Sequence, residues 1–168
     1  MVEPSKTVSA IKTELLRMEE DCTHSSKAHF NAATRWIRWH YVFGLPSVVL
    51  ATAAGAAFFK GFPITAGAMT SVVAVLSGLM TFLKPSERSA SHKSSGDQYL
   101  ALRNDSRVFR EIELEHVGDE ASAISAMQGL TTRRNELNTA SPSFSFRDFQ
   151  KAKKGIDSGE ATHAVDKG

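Results

Sequence analysis

Two uncharged runs dominate the middle of the chain. Residues 41–59 and residues 61–83 contain no Asp, Glu, Lys or Arg, and Lys60 separates them. A helix rises about 1.5 Å per residue and the hydrocarbon core of a membrane is about 30 Å thick, so roughly 20 residues cross it. Both runs reach that length. The alternative is two helices buried in a soluble core, but a chain of 168 residues offers too little protein to cover them.

Turn-forming residues separate and end these runs. The sequence KGFP at residues 60–63 favours a tight turn, which would join two helices into an antiparallel hairpin. Pro85 lacks an amide hydrogen and therefore ends or kinks a helix after Leu83. We predict a first transmembrane helix over 41–59, a loop over 60–63 and a second transmembrane helix over 64–84.

Basic and aromatic residues flank the runs on the side of the termini. The loop between the runs has only Lys60, whereas the other ends are basic, and cytoplasmic flanks are enriched in Lys and Arg. The start of the chain is charged and lacks the apolar core of a secretory signal. We therefore predict that both termini are cytoplasmic. The predicted membrane-interface anchors are Arg35, Trp36, Arg38, Trp39, Lys84 and Arg88.

Small residues share one side of the second predicted helix. At about 100° per residue, its small and hydroxyl-bearing side chains fall within an arc of roughly 140°, and the first helix has a narrower face of this kind. Small faces allow close helix contact in lipid. The faces could pack on each other within the hairpin, or the second could also contact other subunits and line a polar pathway. The predicted helix-packing or pore face consists of Ala66, Thr70, Ala74, Ser77, Gly78, Thr81, Ser47, Ala51 and Gly55.

Apolar stripes at helical spacing flank the two runs. Ile11, Leu15, Met18 and Cys22 recur at i, i+4, i+7 and i+11, and a matching stripe follows the second run. We expect the two stripes to bury each other. The residues predicted to pair are Ile11, Leu15, Met18, Tyr99, Leu102, Phe109 and Ile112.

The predicted fold class is an all-α membrane protein, a two-helix transmembrane hairpin with N- and C-terminal cytoplasmic amphipathic helices. The N-terminal helix covers residues 1–40, the C-terminal helices cover 85–157, and 158–168 form a flexible tail. Asp119 is expected to cap a helix over residues 120–137. The segment FRDFQKAKKGI is expected to form a last short helix.

The sequence contains no recognisable catalytic or metal-binding motif. Its six histidines do not form a zinc spacing such as H-E-x-x-H, and we expect His40 and His92 to lie near lipid headgroups. Cys22 is the only cysteine, which excludes an internal disulfide. The net charge of +2 does not point to nucleic acid. We predict a protein that is not an enzyme, with no cofactor, no metal and no nucleic-acid partner.

The order of these features resembles the SLATT family, the SMODS and SLOG-associating two-transmembrane effector domains. The resemblance covers residues 8–160. It includes RWIRWH before the first run, the pattern H-x6-Y-x2-LR from His92 to Arg103, and the late segment NELNTASPSF…FQKAKKGI.

This resemblance implies an effector of a bacterial conflict or antiphage system. Such a protein would sit in the lipid bilayer of the inner membrane, form a homo-oligomeric pore, and kill or arrest the cell when a nucleotide signal arrives. The implied partner is a nucleotide-second-messenger synthase or a sensor protein. The alternative is a non-conducting membrane anchor or adaptor whose cytoplasmic helices bind a partner protein.

Overall fold

The structure, a computed structural model, describes residues 6–163 and is all-helical over that range. Its helices, numbered in chain order, are α1 (Lys6–Phe59), α2 (Pro63–Leu83), α3 (Pro85–Val108), α4 (Glu120–Ala140) and α5 (Phe146–Asp157). A π-helical turn, Phe109–Glu113, continues α3. The predicted all-α class is confirmed.

Two helical stretches are long and apolar enough to cross a membrane. They are Lys6–Phe59 and Pro63–Glu113, the second comprising α2, α3 and the π-helical turn. Only 6% of the most apolar part of each stretch is buried. A core helix of a soluble protein would instead be mostly buried, so the exposure of these segments agrees with a lipid-facing role.

The chain divides into two compact units. The hairpin unit is Ala33–Ala90, and the terminal unit consists of the chain up to Ala32 and from Ser91 onward. Helix α1 passes through Tyr41 without interruption, since residues 6–43 contain neither glycine nor proline.

The ends of the apolar helices follow from local backbone chemistry. After Phe59, Gly61 adopts a φ of 81°, which glycine tolerates without steric cost, and Pro63 starts α2 where its missing N–H is not needed. At the other end, Lys84 has a φ of 45°, and its N–H bonds the carbonyl of Met80 at 3.1 Å. Pro85 then starts α3.

The terminal unit has its own apolar core, made by α1, α3, α4 and the π-helical turn. One cluster joins Ile11 and Leu15 to Phe109, Leu114 and Ala123. The second cluster consists of Met18, Cys22, Tyr99, Leu102 and Leu137. Asp119 caps α4 by accepting a hydrogen bond from the Ser122 N–H at 2.6 Å, which confirms the predicted cap.

A capping box starts α5. The Ser145 hydroxyl accepts a hydrogen bond from the Asp148 N–H at 3.3 Å and donates one to the Asp148 carboxylate at 2.6 Å. This buried carboxylate also accepts a hydrogen bond from the Ser145 N–H at 3.1 Å. The Asn31 side chain donates to the Asp148 carbonyl at 3.1 Å and thereby ties this turn to α1. The start of α5 is therefore held by side-chain hydrogen bonds on both sides.

Replacing Ser145 with alanine is expected to lower the free energy of unfolding by about 1–2 kcal/mol. The change removes a cap and also one donor to the carboxylate of Asp148. Urea denaturation followed by circular dichroism measures it. Ser143→Ala, at an exposed position outside the helix, is the control and should change little. Equal stability of the two variants would contradict the capping role.

Candidate functional site

The more buried side of α2 carries mainly large side chains. Ala66 is buried, and Met69, Val73, Leu76 and Met80 follow at intervals of three and four residues and are partly buried. Met80 reaches α1, where its Cε would lie 3.9 Å from a Cβ placed on Gly44. This side of α2 therefore faces α1 within the hairpin unit.

The small-residue face of α2 lies largely outside that contact. Thr70, Ala74, Ser77 and Thr81 are exposed, and Gly78 is partly buried. A Cβ added to Gly78 would meet no atom within 4 Å. Of the predicted face on α2, only Ala66 is buried. Contact between the two helices therefore leaves most of these small residues uncovered.

The small residues of α1 are divided between contact and exposure. Ser47 and Gly55 are partly buried and Ala51 is exposed, whereas their neighbour Ala54 is buried. Together with α2, this part of α1 borders a groove of about 550 Å³ near the 60–62 turn. The groove exists because alanine has a small side chain and glycine has none, which leaves space that larger residues would fill.

Several hydroxyl groups on these helices donate to a carbonyl of their own helix. Thr70 donates to the Ala66 carbonyl at 2.9 Å, and Thr81 donates to the Ser77 carbonyl at 3.0 Å. Ser47 does the same with Phe43 at 2.7 Å. Such bonds let a hydroxyl face lipid without an unpaired donor. The oxygen keeps a lone pair that can accept a further hydrogen bond.

The predicted interface residues gather at one end of the hairpin unit. The guanidinium carbons of Arg35 and Arg88 lie 5.1 and 4.7 Å from the centre of the Trp36 ring, within cation–π range. Lys84 bonds Glu87 at 3.2 Å. The remaining two, Arg38 and Trp39, are exposed. Basic and aromatic side chains at one end of two apolar helices suit a lipid headgroup region.

The terminal unit brings together six of the seven residues predicted to pair. Ile11, Leu15 and Phe109 lie in one buried cluster, and Met18, Tyr99 and Leu102 lie in the other. Ile112 differs, because its side chain is 59% exposed.

The π-helical turn explains the position of Ile112. The Leu114 N–H bonds the carbonyl of Phe109, five residues earlier, at 2.8 Å. That i+5 spacing inserts an extra residue relative to an α-helix. Leu114 consequently occupies the buried position that α-helical spacing assigns to Ile112. A periodicity of 3.6 does not reveal such a change in register.

A buried histidine pair was not predicted from the sequence. His29 and His92 are 1% and 3% exposed, and their Nδ1 atoms lie 3.0 Å apart. The His29 ring stacks on Tyr99 at 5.5 Å and meets Phe144 edge-on at 5.1 Å. Burial, and then the neighbouring His92, lower the pKa of His29 to about 4. Protein covers the ring of His92, and the expectation that it lies near lipid headgroups stays a prediction.

The sequence does contain a signal for this pair. Ser26 and His29 extend the i, i+4, i+7 spacing of the stripe that ends at Cys22, and both are buried. His92 precedes the buried Tyr99 by seven residues, or two helical turns. Continuing the two stripes in this way would place both histidines on the inner faces of α1 and α3.

One buried ion pair ties α1 to the π-helical turn. The Arg110 side chain donates to the Glu19 carboxylate at 2.7 and 3.2 Å, and both side chains are largely buried. The hydrogen bond to Glu19 raises the pKa of Arg110 above its ordinary value. Among the described residues, no three His, Cys, Asp or Glu side chains are placed to hold a metal ion.

Comparison of this chain with protein-family models, curated proteins and solved structures finds no match. The resemblance to the SLATT family therefore stays a prediction from the sequence.

Proposed function

We propose that this chain is a two-span membrane effector that assembles through the exposed small-residue face of α2 into a pore. The proposal places α1 from Tyr41 onward and α2 across the bacterial inner membrane, with both termini and the terminal unit in the cytoplasm. The role in a nucleotide-signalled conflict or antiphage system rests on the resemblance to the SLATT family. A synthase or sensor protein would supply the trigger.

The uncovered small face of α2 is the observation that supports assembly most directly. Thr70, Ala74 and Ser77 are exposed while larger residues contact α1. In lipid, where no water drives apolar helices together, small residues favour association by letting backbones approach closely. The neighbouring groove of about 550 Å³ could receive side chains of a second copy. Hydroxyl oxygens on this face could line a polar path between copies.

A second candidate function is a non-conducting anchor whose terminal unit binds a partner protein. The terminal unit exposes large apolar side chains, of which Phe146, Ile112 and Leu16 are 75%, 59% and 51% exposed. Exposed apolar groups favour binding of another protein where they lie together in one patch. Under this function the small face of α2 would serve only insertion and packing.

The double substitution Ala74→Leu/Gly78→Leu is expected to abolish membrane depolarisation by the induced protein. Leucines on this face would hold neighbouring helices apart. A voltage-sensitive dye in bacterial cells, with and without a co-expressed nucleotide synthase, measures the effect at equal membrane abundance.

The matched control is Ala68→Leu/Val75→Leu. Both residues are exposed and lie on the large-residue side of α2, so depolarisation should persist. Two results would contradict the pore: equal loss in both double variants, or no depolarisation by the wild type even with the synthase present. A partner that still binds a silent protein would instead favour the anchor.

A further inference from the structure

The terminal unit holds a pocket that the proposed membrane function does not use. Its volume is about 550 Å³, and its lining comes from α1, α3, α4 and α5. All of these residues belong to the terminal unit. The volume falls within the range of small-molecule sites, which is about 300–1,000 Å³.

Two buried polar atoms of the pocket lining have no hydrogen-bond partner among the described residues. They are Nδ1 of His24 and Nε of Arg134. Buried polar atoms are nearly always paired, because leaving one unpaired is costly. Both atoms belong to side chains that line the pocket, so a small rotation of either side chain would turn its unpaired atom toward a bound molecule.

Several polar groups of the pocket lining are hydrogen-bond donors. The Tyr99 hydroxyl donates to Oδ1 of Asn138 at 2.7 Å, and the amide nitrogen of Asn138 remains as a donor. The Nε–H of Arg134 and the ammonium of Lys153 are also donors. A molecule that satisfies this set must therefore present acceptor oxygens.

The carboxylates of the lining lie at its outer side. Asp21 contacts an outer nitrogen of Arg134 at 3.5 Å, and the Asp21 side chain is 67% exposed whereas that of Arg134 is 29% exposed. Glu20 is likewise exposed. The positive charge of Arg134 and its unpaired Nε are thus placed further inside than either carboxylate, which favours an anionic group at Arg134.

Aromatic rings form another part of the lining. The rings of His24 and Phe149 lie 5.9 Å apart and are tilted by 34°. Phe149 is itself stacked on Phe144, at 6.3 Å and nearly parallel, which fixes its orientation. Such surfaces bind planar groups. Cys22 adds no reactivity, because burial and the neighbouring Asp21 raise the pKa of its thiol to about 11.

We propose that this pocket binds a small organic anion that carries a planar ring, with the anionic oxygens at Arg134 and Lys153 and the ring against Phe149. The inference does not rest on the proposed membrane function, since every group in it lies within the terminal unit.

Calorimetric titration of the full chain in lipid nanodiscs tests the ligand chemistry. Phenyl phosphate combines ring and anion, inorganic phosphate has only the anion, and phenol has only the ring. We expect phenyl phosphate to bind one molecule per chain and about tenfold tighter than either of the others, as expected for added aromatic or charged contacts. Equal affinity for all three, or no saturable binding at millimolar concentration, would overturn the proposal.

Adjacent arginines provide a matched pair of variants. Arg134→Gln should weaken phenyl phosphate binding at least about tenfold, whereas Arg133→Gln should not, because Arg133 is paired with Asp105 and does not line the pocket. Phe149→Leu should weaken phenyl phosphate but leave inorganic phosphate unchanged, which a general loss of structure would not do.

A surface variant keeps the test decisive if Arg134→Gln does not fold. Lys153 is exposed, so Lys153→Gln should fold and still weaken binding, with the exposed Lys151→Gln as its control. Loss of binding in the lining variants alone supports the site. Equal binding by lining and control variants overturns it.

Discussion

Acidification from pH 6.5 to pH 4 is expected to lower the free energy of unfolding of the terminal unit by about 3 kcal/mol through His29 alone. Burial first, and His92 second, lower the pKa of His29 from 6.5 to about 4. Between these values the unfolded chain binds a proton that the folded chain does not. The contribution of His29 to the free energy of unfolding is therefore fully present above pH 6.5. It decreases as the pH falls and is lost below about pH 4.

Urea denaturation followed by circular dichroism in detergent, repeated at several pH values, measures this loss. Carboxylates also titrate over the interval, so the informative quantity is the difference between the wild type and His29→Gln. Between pH 6.5 and pH 4 the free energy of unfolding of the variant should fall by about 3 kcal/mol less than that of the wild type. His163→Gln, at an exposed position outside the helices, should retain the wild-type profile. Identical slopes in wild type and His29→Gln would exclude His29 as the source.

Replacing Leu102 with alanine is expected to destabilise the terminal unit by about 2–5 kcal/mol. Leu102 is completely buried and packs in the cluster of Met18, Tyr99 and Leu137, so truncation removes apolar contacts and leaves a cavity. The shift in the urea midpoint of the detergent-solubilised chain, at constant slope, gives the loss of stability.

Leu100 provides the control for this substitution. It lies on the same helix, two residues earlier, with its side chain exposed. Leu100 is 36% exposed, so Leu100→Ala should cost clearly less than Leu102→Ala, about 1 kcal/mol. A loss at Leu100 equal to that at Leu102 would mean that α3 is covered on the side that the structure leaves open.

The apolar half of the fold is readable from composition because helices of membrane length need long uncharged runs. Uncharged runs of about 20 residues predict helices of membrane length. Glycine and proline supply the ends seen at Gly61, Pro63 and Pro85. Which face of α2 meets α1 is harder to predict, since wheel analysis separates small from large residues without telling which side packs. The structure places Met69, Val73 and Met80 there.

The terminal unit shows where periodicity stops being informative. The spacing of Ile11, Leu15 and Met18 is enough to find a buried stripe. It does not identify Ala123 and Leu137 of α4 as further members of the same core. The π-helical turn shifts the register, so that Leu114 is buried in place of Ile112. Each of these outcomes depends on tertiary packing that no single helix encodes.

The polar sites are the least predictable part of the molecule. His29 and His92 are 63 residues apart in the chain and meet only because α1 and α3 pack together. The pocket in the terminal unit draws Arg134 from α4 and Phe149 from α5. No short motif marks either site, since the groups converge from separate helices.

The two units are joined without any irregular backbone. Their boundaries, at 32/33 and 90/91, fall inside α1 and α3. A fragment cut at either point would leave up to four backbone groups unpaired at the new helix end. The irregular stretches at 114–119 and 141–145 lie within the terminal unit, and of the two only 114–119 is mostly exposed, as cutting by a protease requires. Neither limited digestion nor simple truncation therefore offers a clean way to obtain one unit without the other.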